Sequence, residues 1–215
     1  MKLRTFVILM SSVFVLLVGG CGAMGMSLSQ GQAADSVIAS DGDARAPGPP
    51  GADIAPVTAS CAADIRRQGL PSNLAPEGQS RKTHLTTRMQ NVKSQVEEKF
   101  DGKFLSIGGW RPSDSISLDH PCGRAIDIMV SDLGHQANQQ QIANGFAIAA
   151  WAEQNAKVLG VHYIMFQQCI WNVQRSTESG CGNIPAGMDG KGWRLFADRG
   201  SVTQNHDDHV HISVW

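Results

Sequence analysis

From His209 to Val214 the chain alternates, with His209, His211 and Ser213 falling to one side and Val210, Ile212 and Val214 to the other. Successive side chains of a β-strand point to opposite faces, so this period of two predicts a strand with one apolar face and one face carrying imidazoles. The apolar face has to be covered by a second layer of structure. The segment HPCGRAID at residues 120–127 runs on through Ile128, Met129 and Val130 with the same alternation. It places Ala125, Asp127 and Met129 on one face and Ile126, Ile128 and Val130 on the other. The two strands are expected to meet, each presenting polar side chains to a shared site.

His120, Asp127 and His211 make a ligand set for zinc, which takes nitrogen and oxygen donors in a tetrahedron and in catalytic sites leaves the fourth position to water. Such a metal brings the pKa of water from about 15.7 towards about 7, so a nucleophile is available at neutral pH. A base is still needed to handle protons. His209 shares the face of His211, Asp208 reaches the site if the strand twists or bulges, and His206 is placed as a supporting partner or base. The competing readings are a solvated histidine–carboxylate pair for the first segment, and an exposed polar edge strand or a loosely metal-binding histidine tail for the second.

These residues resemble the zinc D-Ala-D-Ala metallopeptidase and hedgehog superfamily, whose members share a His-x-x-Gly-x-Ala-x-Asp element and a terminal element ending in a ligand histidine. His120, Gly123, Ala125 and Asp127 match the first element at every position. In the D-Ala-D-Ala peptidases an acidic catalytic residue, usually glutamate, stands three positions before the ligand histidine, and Asp208 stands there before His211. In the murein endopeptidases and lysostaphin-like enzymes a histidine two positions before the ligand assists catalysis, and His209 matches it. The spacing of His206, His209 and His211 is similar to the murein endopeptidase pattern, which ranks His209 above Asp208 as the base. GGWRP at residues 108–112 resembles the Gly-Tyr-Arg segment with which the D-Ala-D-Ala peptidases hold substrate. It implies substrate contacts for Arg111, whose fork suits a carbonyl or carboxylate, and for Trp110, which either lines the groove or packs in the core. The order of segments from Arg81 to Trp215 is similar to that of a family of secreted actinobacterial domains. These carry a helix, a strand rich in Tyr, Ile and Gln, a Trp-Arg segment and an Arg-Gly turn, with counterparts here at residues 137–160, 161–171, 192–195 and 198–201.

The chain carries 18 Lys and Arg against 19 Asp and Glu, without the basic excess that would point to a nucleic-acid partner. Lys2 and Arg4 precede an apolar run from Phe6 to Val18, followed by Gly19, Gly20 and Cys21. This reads as a signal peptide over residues 1–20, too short for a comfortable membrane span. Its Val-Gly-Gly-Cys ending looks like a lipoprotein signal that leaves Cys21 as a lipidated, membrane-anchored N-terminus, with simple cleavage and secretion as the alternative. Residues 21–60, rich in Gly, Ala, Ser, Asp and Pro, read as a flexible tether, and residues 61–215 as one domain acting as a monomer. Cys61, Cys122, Cys169 and Cys181 are an even set in an exported chain, which argues for two disulfides with three possible connectivities. The preferred pairing is Cys169 with Cys181, contributing about 3 kcal/mol, and Cys61 with Cys122, contributing about 4, on the chain-entropy argument. Cys122 as a zinc ligand is the rival idea.

Leu85, Met89, Val92, Val96 and Phe100 recur at three- and four-residue spacing, predicting an amphipathic helix over residues 83–100. A short strand over 104–107, a helix over 138–159 stopped by Gly160, and a buried strand over 161–166 follow. Helices and strands in separate blocks give an α+β domain with a mostly antiparallel sheet and flanking helices, and the resemblance implies its hedgehog and DD-peptidase form. Trp151 and Trp171 are expected in the core, Trp193 and Trp215 stay open, and His84, His135 and His162 are expected to take no part in metal binding. The expected activity is zinc-dependent hydrolysis of amide bonds in peptidoglycan peptides, with carboxypeptidase and endopeptidase outcomes both open. One alternative is a non-catalytic, zinc-containing module for wall binding or interaction. Another is a glycan hydrolase using Asp198, Asp207 and Asp208, which leaves the histidines without a purpose.

Overall fold

The pairing that organises the domain joins β2 (Ala125–Met129) to β6 (His209–Val214), antiparallel, with Ile126 opposite Ile212, Asp127 opposite His211 and Ile128 opposite Val210. The computed structural model describes residues 53–114, 117–185 and 188–215. The signal-like segment, Cys21 and the expected tether up to residue 52 lie outside the described residues. β1 (Ser106–Gly108) adds to β2, while β3 (Val161–Phe166), β4 (Cys169–Asn172) and β5 (Trp193–Leu195) add in turn on the far side of β6. The result is a six-stranded antiparallel sheet in the order β1-β2-β6-β3-β4-β5.

The apolar sides of these strands share one core with two helices, α2 (Thr87–Lys99) and α3 (Gln139–Gln154). Ile126, Ile128, Ile164, Val210, Ile212 and Val214 pack with Met89, Val92 and Val96 of α2 and with Phe146, Ile148 and Ala149 of α3. The Phe146 and Phe166 rings meet edge to face at 5.0 Å. Helices therefore cover one side of the sheet, and the imidazole-bearing side is left for a site. The domain is α+β, and among the described residues no helix is long and apolar enough to cross a membrane.

Several boundaries differ from the sequence expectation for local reasons. The helix expected from residue 83 begins at Thr87, because Thr86 is extended (φ −67°, ψ 159°) and its hydroxyl accepts from the Met89 N–H as an N-cap. The helix expected over 138–159 is broken at Asn155, whose side-chain amide donates to the Trp151 carbonyl at 2.8 Å. A short α4 (Ala156–Leu159) then ends at Gly160 in the left-handed region, φ 68°. The first strand lies slightly later than 104–107. A helix that was not anticipated, α1 (Ala59–Arg67), starts inside the expected tether, and Ile54 already bridges to Ser80.

The β3–β4 hairpin turns through Gln167 and Gln168, both at positive φ (50° and 59°), as a two-residue loop of the primed kind requires. Glutamine does not favour this conformation. The loop is held from outside: the N–H groups of Gln167 and Gln168 donate to the carbonyls of His206 and Asn205 at 2.9 and 2.8 Å. Both disulfides are formed, Cys61–Cys122 and Cys169–Cys181, with Cα separations of 5.6 and 5.8 Å. The first ties α1 to the loop before β2, and the second ties β4 to the segment before β5. Trp171, Trp193 and Trp215 are buried, and Trp151 is half-buried with its edge against Phe100.

Candidate metal centre

With β2, β6 and β3 side by side, the strand period brings Asp127 and Met129, His209 and His211, and Tyr163 and Met165 to the same side of the sheet. They line a cavity of about 540 Å³ together with Arg111, Arg199 and His206. His120 enters from the loop before β2. That loop turns at Gly123 (φ 67°), where an added Cβ would run into the backbone of His84 and Leu85, so the glycine of the first element is required by both dihedral and space.

His120, Asp127 and His211 each offer a ligand atom, and these atoms lie within 4.8 Å of one another. The neighbours of each imidazole define which nitrogen is free. His120 Nδ1 donates to the Gly109 carbonyl at 2.6 Å, leaving Nε2 buried, without a hydrogen-bond partner, 3.2 Å from Asp127 Oδ2. His211 Nε2 lies 3.2 Å from the Tyr163 hydroxyl, and its Nδ1 lies 2.8 Å from Asp127 Oδ1. Two imidazole nitrogens thus converge on one carboxylate, which the Arg111 guanidinium also reaches. Burial lowers the pKa of His211, so the imidazolium form is disfavoured there despite the attraction of Asp127. Burial acts to raise the Asp127 pKa, but the His120 and His211 rings beside it hold it well below the usual carboxylate range. Two imidazole nitrogens and one carboxylate oxygen suit zinc.

His209 stands beside this set, its Nε2 3.6 Å from Asp127 Oδ1. Its Nδ1 is hydrogen-bonded to Asp208 Oδ1 at 2.6 Å. The other oxygen of Asp208 accepts from the Gly134 N–H at 2.7 Å and the Thr203 hydroxyl at 2.6 Å. Asp208 is fully buried and does not line the cavity, so it orients His209 and is not itself open to a reacting group. Burial alone would raise its pKa, yet the bonds from His209, Thr203 and Gly134 bring it down to about 2. A depressed folded-state value adds stability that is complete above the unfolded value near 3.8 and is lost as pH falls through about 2. The stability gap between the wild type and Asp208→Asn is therefore expected to close between about pH 4 and pH 2, as urea unfolding across that window would measure.

His206 has φ 58°, lies 4.7 Å from the His209 ring and 5.6 Å from the His211 ring, and donates through Nδ1 to the Gln204 carbonyl. Burial, with the neighbouring His211 and His209, pushes its pKa to about 2 and keeps it neutral. Arg111 bonds Asp127 Oδ2 at 2.8 Å and Asp114 Oδ2 at 3.0 Å from a half-exposed position at the cavity wall. Trp110 is exposed, donates to the Pro121 carbonyl, and stands over His84 in a neighbouring cavity of about 440 Å³. His84, His135 and His162 lie outside the ligand cluster, and His162 is stacked on Trp215. Asp198 and Asp207 do not line the main cavity: Asp198 accepts from Gly200 and Asn205, and Asp207 from Gln136.

Tyr163, Asp119, Arg124 and Asp64, which no motif in the sequence marks, sit behind the His120–Asp127–His211 cluster. Two signals were available: Tyr163 is the single tyrosine of the chain, and Asp119 directly precedes His120.

Residues 81–207 match the sequence profile of the family described as VldE, C-terminal domain. The match spans more than half of the chain, which belongs to that family. It includes His120 and Asp127 and stops just short of the His209–His211 strand. An uncharacterized secreted protein of Arthroderma benhamiae is 32% identical over 105 residues, 44% of this chain and 38% of the relative's length. The chain thus spans well under two thirds of that relative. No solved structure matches it. The secreted relative and the two disulfides fit an exported protein.

Proposed function

We propose that this member of the VldE C-terminal domain family is an exported, zinc-dependent hydrolase that cuts amide bonds in peptidoglycan peptides. The observation that carries the reading is the convergence of two histidine ring nitrogens on one part-buried carboxylate, with the His120 Nε2 otherwise unpartnered. His120 Nε2, Asp127 and His211 Nδ1 would hold the metal. Zinc there supplies Lewis acidity toward a water molecule and the scissile carbonyl. His209, oriented by Asp208 through Nδ1, takes the proton from the water at Nε2 and delivers it to the leaving amine. Arg111 orients the substrate from the cavity wall, moving from its carboxylate partners to a carbonyl or carboxylate of the peptide. His206, neutral, walls the site beside His209.

The resemblance of the two histidine segments to the zinc D-Ala-D-Ala metallopeptidases and murein endopeptidases supports the substrate class. In this reading Cys21 carries a lipid anchor, residues beyond it tether the domain within reach of the wall, and the domain works as a monomer. A second reading is a zinc-containing wall-binding module without hydrolysis, favoured by the Arg111–Asp127 and Arg111–Asp114 ion pairs in so far as they keep Arg111 from orienting a substrate. Metal analysis of the purified protein, combined with mass spectrometry of peptidoglycan digested with and without a chelator, separates the two. About one zinc per chain with chelator-sensitive release of new amine termini is expected. Zinc without cleavage would favour the binding module, and absence of zinc would overturn both.

A further inference from the structure

Behind the metal ligands runs a line of polar side chains that the hydrolytic reading leaves without a role. The Tyr163 hydroxyl is 3.2 Å from His211 Nε2 and 2.5 Å from Asp119 Oδ2. Asp119 Oδ1 is 2.5 Å from Arg124 Nη2, and the same nitrogen is 2.8 Å from Asp64 Oδ2. Asp119, Arg124 and Asp64 are buried, at 0%, 3% and 5% exposure. Cys61 lies three residues before Asp64 and Cys122 three after Asp119, so their disulfide draws both carboxylates onto the one guanidinium.

The direction of every hydrogen bond in this line follows from its charges. A carboxylate between a guanidinium and a phenol can only accept, so Tyr163 donates its O–H to Asp119. The phenol oxygen is then left with lone pairs toward His211, and the contact is made only if His211 Nε2 carries the proton. A neutral imidazole protonated at Nε2 has its lone pair on Nδ1, the nitrogen that faces Asp127. The opposite pull is also present. Asp127 is an acceptor 2.8 Å from Nδ1 and draws the proton there, which would fill the ligand lone pair. Tyr163 is the counterweight.

We propose that Arg124, Asp119 and Tyr163 form a one-way hydrogen-bond relay that holds His211 as the Nε2–H tautomer and so presents Nδ1 to the metal. Tyr163 is in this sense a positioning residue, and the proposal rests on the zinc reading above. The phenylalanine variant isolates it, since the ring stacks on His211 at 5.2 Å and 14° and only the oxygen is removed.

The test compares the wild type with Tyr163→Phe in two ways: zinc affinity by competition with a chelator, and imidazole nitrogen chemical shifts of the metal-free protein above neutral pH. The wild type is expected to show His211 protonated at Nε2. The variant is expected to show the proton on Nδ1 and a zinc affinity lower by roughly 10- to 100-fold, with its melting temperature little changed. Equal tautomer and equal affinity in the variant would overturn the relay while leaving the zinc site standing. A wild-type His211 already protonated on Nδ1 would overturn it without any variant. Failure of the wild type to bind zinc would remove the metal reading and the relay together.

Discussion

Alanine at Asp127 is expected to abolish zinc binding, whereas alanine at His209 is expected to leave zinc in place and slow hydrolysis by roughly 100- to 10,000-fold. The two residues face the same cavity and their side chains approach to 3.6 Å, so the contrast separates ligand from base within one small volume. Asp127 is the oxygen donor between two histidines, and its loss leaves only His120 and His211. His209 is not needed to complete that set. Its removal leaves the Asp208 carboxylate with the Gly134 N–H and Thr203 hydroxyl as partners, so the strand keeps its support. Zinc content by mass spectrometry and the rate of amine release from peptidoglycan are the two readings. Loss of zinc from both variants would make His209 a ligand, and full activity in the His209 variant would remove it from the chemistry.

Methionine at Arg124 is expected to destabilise the domain by about 3–5 kcal/mol, a fall in melting temperature of roughly 10 °C. Arg124 sits at 3% exposure between Asp64 and Asp119, and removing it leaves two carboxylates in the interior without their counter-charge. Arg67 and Gln68 still reach Asp64, but Asp119 keeps only Tyr163 and a long contact to Gln68. Burial pushes the Asp119 pKa up, and Arg124 is the main influence bringing it down, so in the variant this carboxyl is expected to protonate far more readily. Adding Asp119→Asn and Asp64→Asn to the methionine variant is expected to recover part of the loss. Thermal unfolding of the single and triple variants decides the matter. A drop of under about 1 kcal/mol for Arg124→Met would mean that the triad contributes no more than a surface pair.

What could be read from the chain follows the range over which each signal acts. Alternation in β2 and β6 is a local property of strands with one buried face, so it brought Asp127 and His211 onto one side before any partner was known. The same holds for α2, whose buried Met89, Val92 and Val96 keep helical spacing. α1 was hidden because Ala59–Arg67 is short, has Ile65 as its one large apolar side chain, and is held by a disulfide and by the buried Asp64 and Ile65. The Gln167–Gln168 turn was hidden because its conformation comes from the His206 and Asn205 carbonyls, not from its own residues. At the site, the clustering of His120, Asp127 and His211 was legible, but the different surroundings of His209 and Asp208 depend on Gly134 and Thr203, which reach Asp208 from distant or unremarkable positions.

In the sheet order β1-β2-β6-β3-β4-β5, the strand at the junction is the last of the six along the chain. Without β6 the sheet exists only as two pieces, a β1–β2 pair and a β3–β4–β5 meander, each with an open edge and no common core. Such pairings of high sequence separation form late, because the intervening chain has to be closed before the contact rewards it. A ribosome delivering this chain therefore releases the last strand before the domain can commit to its native sheet. For a protein destined for export the delay is useful: it keeps the chain threadable during synthesis, and Asp127 on β2 and His211 on β6 come together only when folding finishes.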